Sequence, residues 1–242
     1  MRTTKRTPVA ASRRPPIAFA WRVPIRSYRL RYNRMAIPPS DLTGAARIRD
    51  AALRQFAARG VAAASIRHVA KAAGVSPGLV QHHFRSKAGL RQAVDAFVMR
   101  RAVESFGDLI VEGSPEENAR KLGSRIAAFI RANPAVFAYI GRSLLEADAP
   151  GRELLDRLLL VARAQLDRLL AKRLLRKELD LEWAALHLIL INVGAFLLAP
   201  TLERYLGTSL LGDTGMGRME KATTDLFLKG IYRQRTRQTP RR

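Results

Sequence analysis

The stretch Ser65-Ile-Arg-His-Val-Ala-Lys-Ala-Ala-Gly-Val-Ser-Pro-Gly-Leu-Val-Gln-His-His-Phe84 decides the fold. Ser65 is placed to cap the free N–H groups of a helix starting at Ile66, and Gly74 supplies the positive φ that reverses the chain after its last turn. Ser76 then caps a second helix whose first position is Pro77, where a missing N–H costs nothing and the fixed φ favours helix. Ile66, Val69 and Ala70 on the first helix meet Val75, Val80 and Phe84 around the second, and the small Ala70 lets the two axes cross closely. Local chemistry therefore predicts two short helices and a sharp turn, a helix-turn-helix.

Upstream, Leu42, Ala45, Ala46, Ile48, Ala52, Leu53, Phe56 and Ala57 recur at spacings of three and four, an apolar stripe on a helix expected to end near Arg59-Gly60 with Gly60 as a left-handed cap. Downstream the period stays helical, and no segment alternates as a half-buried strand does. Pro134, Pro150-Gly151, Pro200 and the glycine-rich run from Gly207 to Gly217 punctuate it. The expected helices span 86–112, 116–132, 134–147, 151–177, 182–199 and 216–230. The predicted fold class is all-α, with a three-helix module at 41–85 and a helical domain at 86–230.

Charge divides the 242 residues in the same way. The net charge is +23, from 43 basic and 20 acidic side chains. Residues 1–40 carry ten basic and no acidic groups, 41–90 eight and two, 91–230 twenty and eighteen, and 231–242 five and none. The long central segment is nearly neutral, so the basicity belongs to the short module and two tails, a pattern that points to a polyanionic partner for the module. Residues 1–40, with prolines among the basic groups and no helical period, read as a disordered basic extension. Met35 stands just before the first helix. Residues 1–34 are then either an upstream extension of the reading frame that the working protein lacks or a basic arm adding sequence-independent DNA affinity, with an organellar transit peptide as a third alternative.

The chain has no cysteine, which excludes disulfides and cysteine-ligated zinc. It also offers no phosphate-cradling glycine loop after a strand and no helical zinc pair, and three of its four histidines lie inside the helix-turn-helix, so an enzyme is not expected. His82 and His83 point about 100° apart on a helix and do not form a metal pair; no metal or cofactor is expected. Trp183 to Leu198 is apolar apart from His187 and Asn192, but at 16 residues it falls short of the roughly 20 that cross a bilayer. It reads as a buried helix, the centre of a core or half of a dimer seam, with His187 and Asn192 as satisfied core groups. A non-specific nucleic-acid or anionic-surface binder driven by the two basic tails remains the alternative class.

The run from Arg47 to Gly60, then Ser65-Ile66, Val69-Ala70, Ala73-Gly-Val-Ser76, His83-Phe84, Ser86-Lys87 and Leu90, resembles the DNA-binding domain of the TetR family of transcriptional regulators. The resemblance covers about 45 residues. It implies a cytoplasmic, ligand-responsive regulator, usually a repressor, that binds double-stranded DNA as a homodimer through a pseudo-palindromic operator. It implies a small-molecule effector, whose identity the sequence does not name, and a dimer seam built from 182–199 and 216–230. Ser65, Ser76, His82 and Lys87 fall at positions facing DNA phosphates, and Pro77 to His83 would enter the major groove. The family commonly has Tyr where this chain has Gln81 and a small polar residue where it has Leu79. Gln can pair with adenine N6/N7, and an apolar side chain can meet a thymine methyl. Gly78 permits close backbone approach, and Arg67 is a further phosphate contact. For the effector pocket the expected lining is Phe129, Phe137, Tyr139, Ile140 and Leu144, with ordinary core packing as the alternative for each.

Overall fold

The computed structural model describes residues 42–107 and 112–231. The proposed start at Met35, the basic extension at 1–40 and the tail beyond Ile231 lie outside the described residues. Ten helices are seen among them: α1 Leu42–Ala63, α2 Ile66–Ala73, α3 Pro77–Phe84, α4 Lys87–Phe106, α5 Pro115–Ala132, α6 Pro134–Glu146, α7 Ala149–Ala171, α8 Leu181–Leu197, α9 Ala199–Leu206 and α10 Asp213–Gly230. The fold is all-α, with a helix-turn-helix at its N-terminal side and a helical body after it.

Most helix starts follow from side-chain caps. Ser65, Ser76 and Ser86 accept from the N–H groups of His68, Leu79 and Gly89, and Asp148 and Asp180 do the same for α7 and α8. Ser114 and Glu117 form a reciprocal capping box at the start of α5. Gly74 ends α2 in the left-handed conformation, as the sequence predicts.

Gly60 behaves differently from the expected cap. Its φ of 80° is positive, but its ψ of 159° is extended, so it breaks α1 and the chain resumes a helical turn through Ala63. Ala64 N–H closes that turn on Gly60 C=O at 3.2 Å. The first helix is therefore longer than predicted and bent at Gly60.

Other boundaries shift for visible reasons. Helix α4 ends at Phe106, not 112, and α7 ends at Ala171, not 177. Arg173 adopts a φ of 57°, which turns the chain so that Leu175 is buried. Helix α9 was not foreseen; Pro200 occupies its first turn and marks a bend rather than a stop. Helix α10 starts at Asp213, three residues earlier than expected, and Gly215 in its first turn packs against the backbone of Ser209 and Leu210 where a Cβ would collide.

One apolar core runs from the helix-turn-helix into the body: Ile48, Phe56, Val69, Val80, Leu90 and Val94 continue into Val98, Phe129, Ile130 and Ile140. A second cluster, with Leu166, Leu169, Leu175, Leu188 and Phe227, lies among α5, α7, α8 and α10. Helices α4 and α7 run side by side in the same direction and are tied at both ends. Arg91 pairs with Asp148 at the start of α7, and Arg168, near its end, donates to the carbonyls of Gly107 and Phe106 at 2.8 and 3.1 Å. At 20 residues α4 spans about 30 Å. It connects the helix-turn-helix to the far side of the body.

Candidate nucleic-acid interface, joint and cavity

The face of α3 that points outward is decided by the face that points in. Val80 and Phe84, four apart, are buried, which sends Gly78, Leu79, Gln81 and His82 away from the core. Leu79 is 37% exposed, so it does not pack beneath the helix. Ser76 and Pro77 are exposed at the helix start. His83 is half-buried and lies over Gly44 of α1, while its ring meets His82 edge-on at 5.5 Å between centroids. The exposed face of α3 thus offers an apolar group, an amide and an imidazole on a glycine-thinned backbone.

Cations flank this face. Arg67 and Lys71 stand exposed on α2, and Arg85 follows α3. Ser65 uses its hydroxyl on His68 N–H at 3.2 Å and Ser76 on Leu79 N–H at 3.2 Å, so both act first as caps. Lys87 Nζ donates to Ala62 C=O at 2.8 Å and ties α4 to the end of α1. An ammonium carries three protons, so this bond leaves two for a phosphate.

The last residue of α6 and the short link from it to α7 touch α1 and α4 at once. Glu146 accepts from Val61 N–H at 3.0 Å, supplying a partner to the group that the Gly60 break releases from α1. Arg142, one turn earlier, lies 3.7 Å from Glu146 and donates to Arg59 C=O at 3.4 Å. Ala147 takes a left-handed conformation, and Asp148 then caps α7 and grips Arg91 with both oxygens. Hydrogen bonds from Arg91 hold the Asp148 carboxyl below the usual carboxylate range. Nearby, Tyr139 on α6 donates to Asp95 on α4. Burial pushes Asp95 up to about 6, against the pull of the Tyr139 hydrogen bond and the charges of Arg91 and Arg157. None of these residues was read in the sequence as part of a joint: Tyr139 was expected in the pocket, and Arg142 and Glu146 as solvated charges or contacts to a charged ligand. Asp148-Ala-Pro-Gly151 carries the signature of a capped helix start and was the available signal.

Behind the joint lies a cavity of about 110 Å³ among α4, α5, α6, α7 and α8. Of the five residues expected there, Phe129, Phe137 and Ile140 line it. Tyr139 does not, because its position on α6 turns the phenol toward Asp95. Leu144 does not either: it shares the face of Phe137 and Ile140 but sits a turn beyond the cavity, packed into the main core. Two polar residues also line it: Asn192, expected as a satisfied core group, and Gln165, which was not singled out in the sequence. Asn192 is buried and donates to Leu188 C=O at 2.7 Å, whereas His187 is exposed and stacks on Trp183 at 5.6 Å, so only the first is a core group. Gln165 interrupts the apolar stripe of α7, which is where it could have been noticed. Among the described residues no group of three or more His, Cys, Asp or Glu could hold a metal, and no single helix is long and apolar enough to cross a membrane.

These features match a known group of proteins. The family model described as bacterial regulatory proteins, tetR family, matches residues 48–94. The chain is 33% identical over 159 residues to the HTH-type transcriptional regulatory protein RaaS of Mycobacterium tuberculosis (strain ATCC 25618 / H37Rv), covering 66% of this chain and 72% of that protein. Its fold is similar to that of the fatty acid degradation regulator FadR from Bacillus halodurans, with a TM-score of 0.62 and 20% identity over 81% of this chain and 97% of the other. It is also similar to a TetR transcriptional regulator from Chloroflexus aurantiacus J-10-FL, with a TM-score of 0.60 and 18% identity over 81% and 100%. At those identities the two structures speak for the fold, and the sequence relative speaks for the lineage. The capped helix-turn-helix, its outward α3 and the helical body behind it are those of a transcriptional regulator, and the chain belongs to the TetR family.

Proposed function

We propose that the protein is a ligand-responsive repressor that binds a pseudo-palindromic operator as a homodimer. The observation that carries this is the outward face of α3, where Leu79, Gln81 and His82 are exposed beside the cations Arg67 and Lys71. Gln81 is suited to an adenine edge and Leu79 to a thymine methyl. Pro77 and Gly78 let the backbone approach the groove, and Ser65, Arg67, Ser76, His82 and Lys87 supply phosphate contacts around it.

Dimerisation is supported by apolar groups left in solvent on α8 and α10. Trp183 is 56% exposed, Leu190 50% and Leu226 59%, and a second copy of the chain would cover them. In the dimer, two α3 helices must lie about 34–36 Å apart to enter successive major grooves on one face of the duplex. The 146–148 joint offers a route for control, since it binds α1 and α4 while α4, α6 and α7 all border the cavity. A molecule that favours a different arrangement of those helices changes the spacing and lowers operator affinity. Shifting occupancy from about 99:1 to 1:99 takes roughly 5.5 kcal/mol of differential affinity.

The deciding experiment is to sequence the DNA fragments retained by the purified protein. Enriched inverted repeats with half-sites one helical turn apart are expected. Equal retention of every duplex would overturn the reading.

A further inference from the structure

The cavity's lining is apolar apart from two amides, and none of its lining side chains is charged. Both amides are almost fully buried, Gln165 at 4% and Asn192 at 5% exposure. Their hydrogen bonds fix which atom each has left. Gln165 Oε1 accepts from Arg168 Nη2 at 2.6 Å and Nε at 3.2 Å, which turns Nε2 into the remaining donor. Asn192 Nδ2 donates to Leu188 C=O, which leaves Oδ1 as the remaining acceptor. Among the described residues no protein hydrogen bond occupies either remaining atom, and the open volume of the cavity reaches both residues, so a bound group can meet them in place of water.

Resting on the effector reading above, we infer that this cavity takes an uncharged, largely apolar molecule carrying one neutral group that both accepts and donates a hydrogen bond, such as an alcohol or phenol. The acceptor side of that group meets Gln165 Nε2 and its proton meets Asn192 Oδ1. A carboxylate would offer no proton to Asn192 and would find no cation in the lining. An ammonium would face Gln165 Nε2 donor to donor. Either charge would also be taken from water onto an apolar lining, which is unfavourable without a counter-charge. The size is bounded as well. An apolar cavity of about 150 Å³ takes benzene, so about 110 Å³ suits one ring or a short chain, and anything longer must extend beyond this volume.

The test uses the full chain and four probes of one shape: benzyl alcohol, toluene, benzoate and benzylammonium, titrated by calorimetry. Benzyl alcohol is expected to bind about three- to tenfold more tightly than toluene, the worth of one net hydrogen bond, with both ions weaker than toluene. Asn192→Leu and Gln165→Met should each erase the alcohol's advantage while toluene still binds. Gln165→Met also strips a partner from Arg168, so melting curves accompany both variants, and Asn192→Leu decides if the other is unstable. The inference is overturned if an ion binds most tightly, if the alcohol keeps its advantage in the variants, or if none of the four binds. Operator affinity is measured in parallel with benzyl alcohol present. Binding without any change in operator affinity would sink the effector reading and leave the cavity's chemistry standing.

Discussion

The phenol of Tyr139 on α6 donates a 2.6 Å hydrogen bond to the carboxylate of Asp95 on α4, next to the Arg91–Asp148 pair. Asp95 titrates near 6 in the folded protein, above the usual value of 3.8, because burial disfavours its charge. The folded state therefore holds this proton more tightly than the unfolded one. The stability linked to it is fully present below about 3.8 and is lost as pH rises through about 6. Asp148 acts in the opposite sense: its lowered pKa contributes stability above 3.8 that is lost in stronger acid. Melting temperature should thus rise from pH 7 toward pH 5 and fall again in stronger acid. Asp95→Asn, which can still accept from Tyr139, should flatten the first limb. A variant whose limb matches the parent's would show that other groups produce it.

Gly60 tolerates no side chain, by conformation and by contact. Its φ and ψ belong to a region that is essentially glycine's alone, and a Cβ would be driven into the Glu146 carboxylate. Gly60→Ala is expected to cost about 2 kcal/mol, roughly 4–8 °C in Tm for a chain of this size. Glu146→Gln keeps an oxygen for Val61 N–H and should cost less than half as much. Similar losses in the two variants would mean that the charge of Glu146, rather than the break at Gly60, is what the joint needs.

Gln81 and Lys87 should fail in different ways. Gln81→Ala is expected to relax sequence preference at one position per half-site and to cost about 1–3 kcal/mol there. Lys87→Ala should weaken all sequences alike and, because Nζ also holds Ala62 C=O, lower Tm slightly. Binding measured on a matched and a mismatched operator separates the two.

Leu190→Arg places a charge on the exposed apolar face of α8 and should leave the fold intact. If α8 and α10 form the dimer seam, sedimentation will show monomers and operator binding will drop at least tenfold. A dimer that survives both Leu190→Arg and Leu226→Arg would move the seam elsewhere.

What could be read in advance follows the range of the interactions. The helix-turn-helix was legible because its limits are set by neighbours in sequence: Ser65 and Gly74 act on α2, and Ser76 and Pro77 on α3. The cavity was half legible. Phe129, Phe137 and Ile140 advertise an apolar interior, but nothing local reveals that Tyr139 turns toward α4 or that Gln165 and Asn192 are its polar points. The joint was not legible at all. Glu146 reaches Val61 across 85 positions and Asp148 reaches Arg91 across 57, and such partners are selected by packing alone. The end of α7 was overrun for the same reason, since Arg173 turns the chain to bury Leu175 in a core that the sequence does not draw.

The division of labour around α3 has a consequence for ionic strength. Its outward side chains, Leu79, Gln81 and His82, include no lysine or arginine, and the cations Arg67, Lys71 and Lys87 sit on neighbouring elements. Salt competes with cations at phosphates, because their binding releases counterions, but it does not compete with a methyl contact or an amide pair. Overall affinity should therefore fall steeply with salt, while the ratio between an operator and a copy altered at the Gln81 base pair stays constant. Competition titrations at several salt concentrations give that ratio directly. A ratio that shrinks as salt rises would place a cation among the residues that read bases.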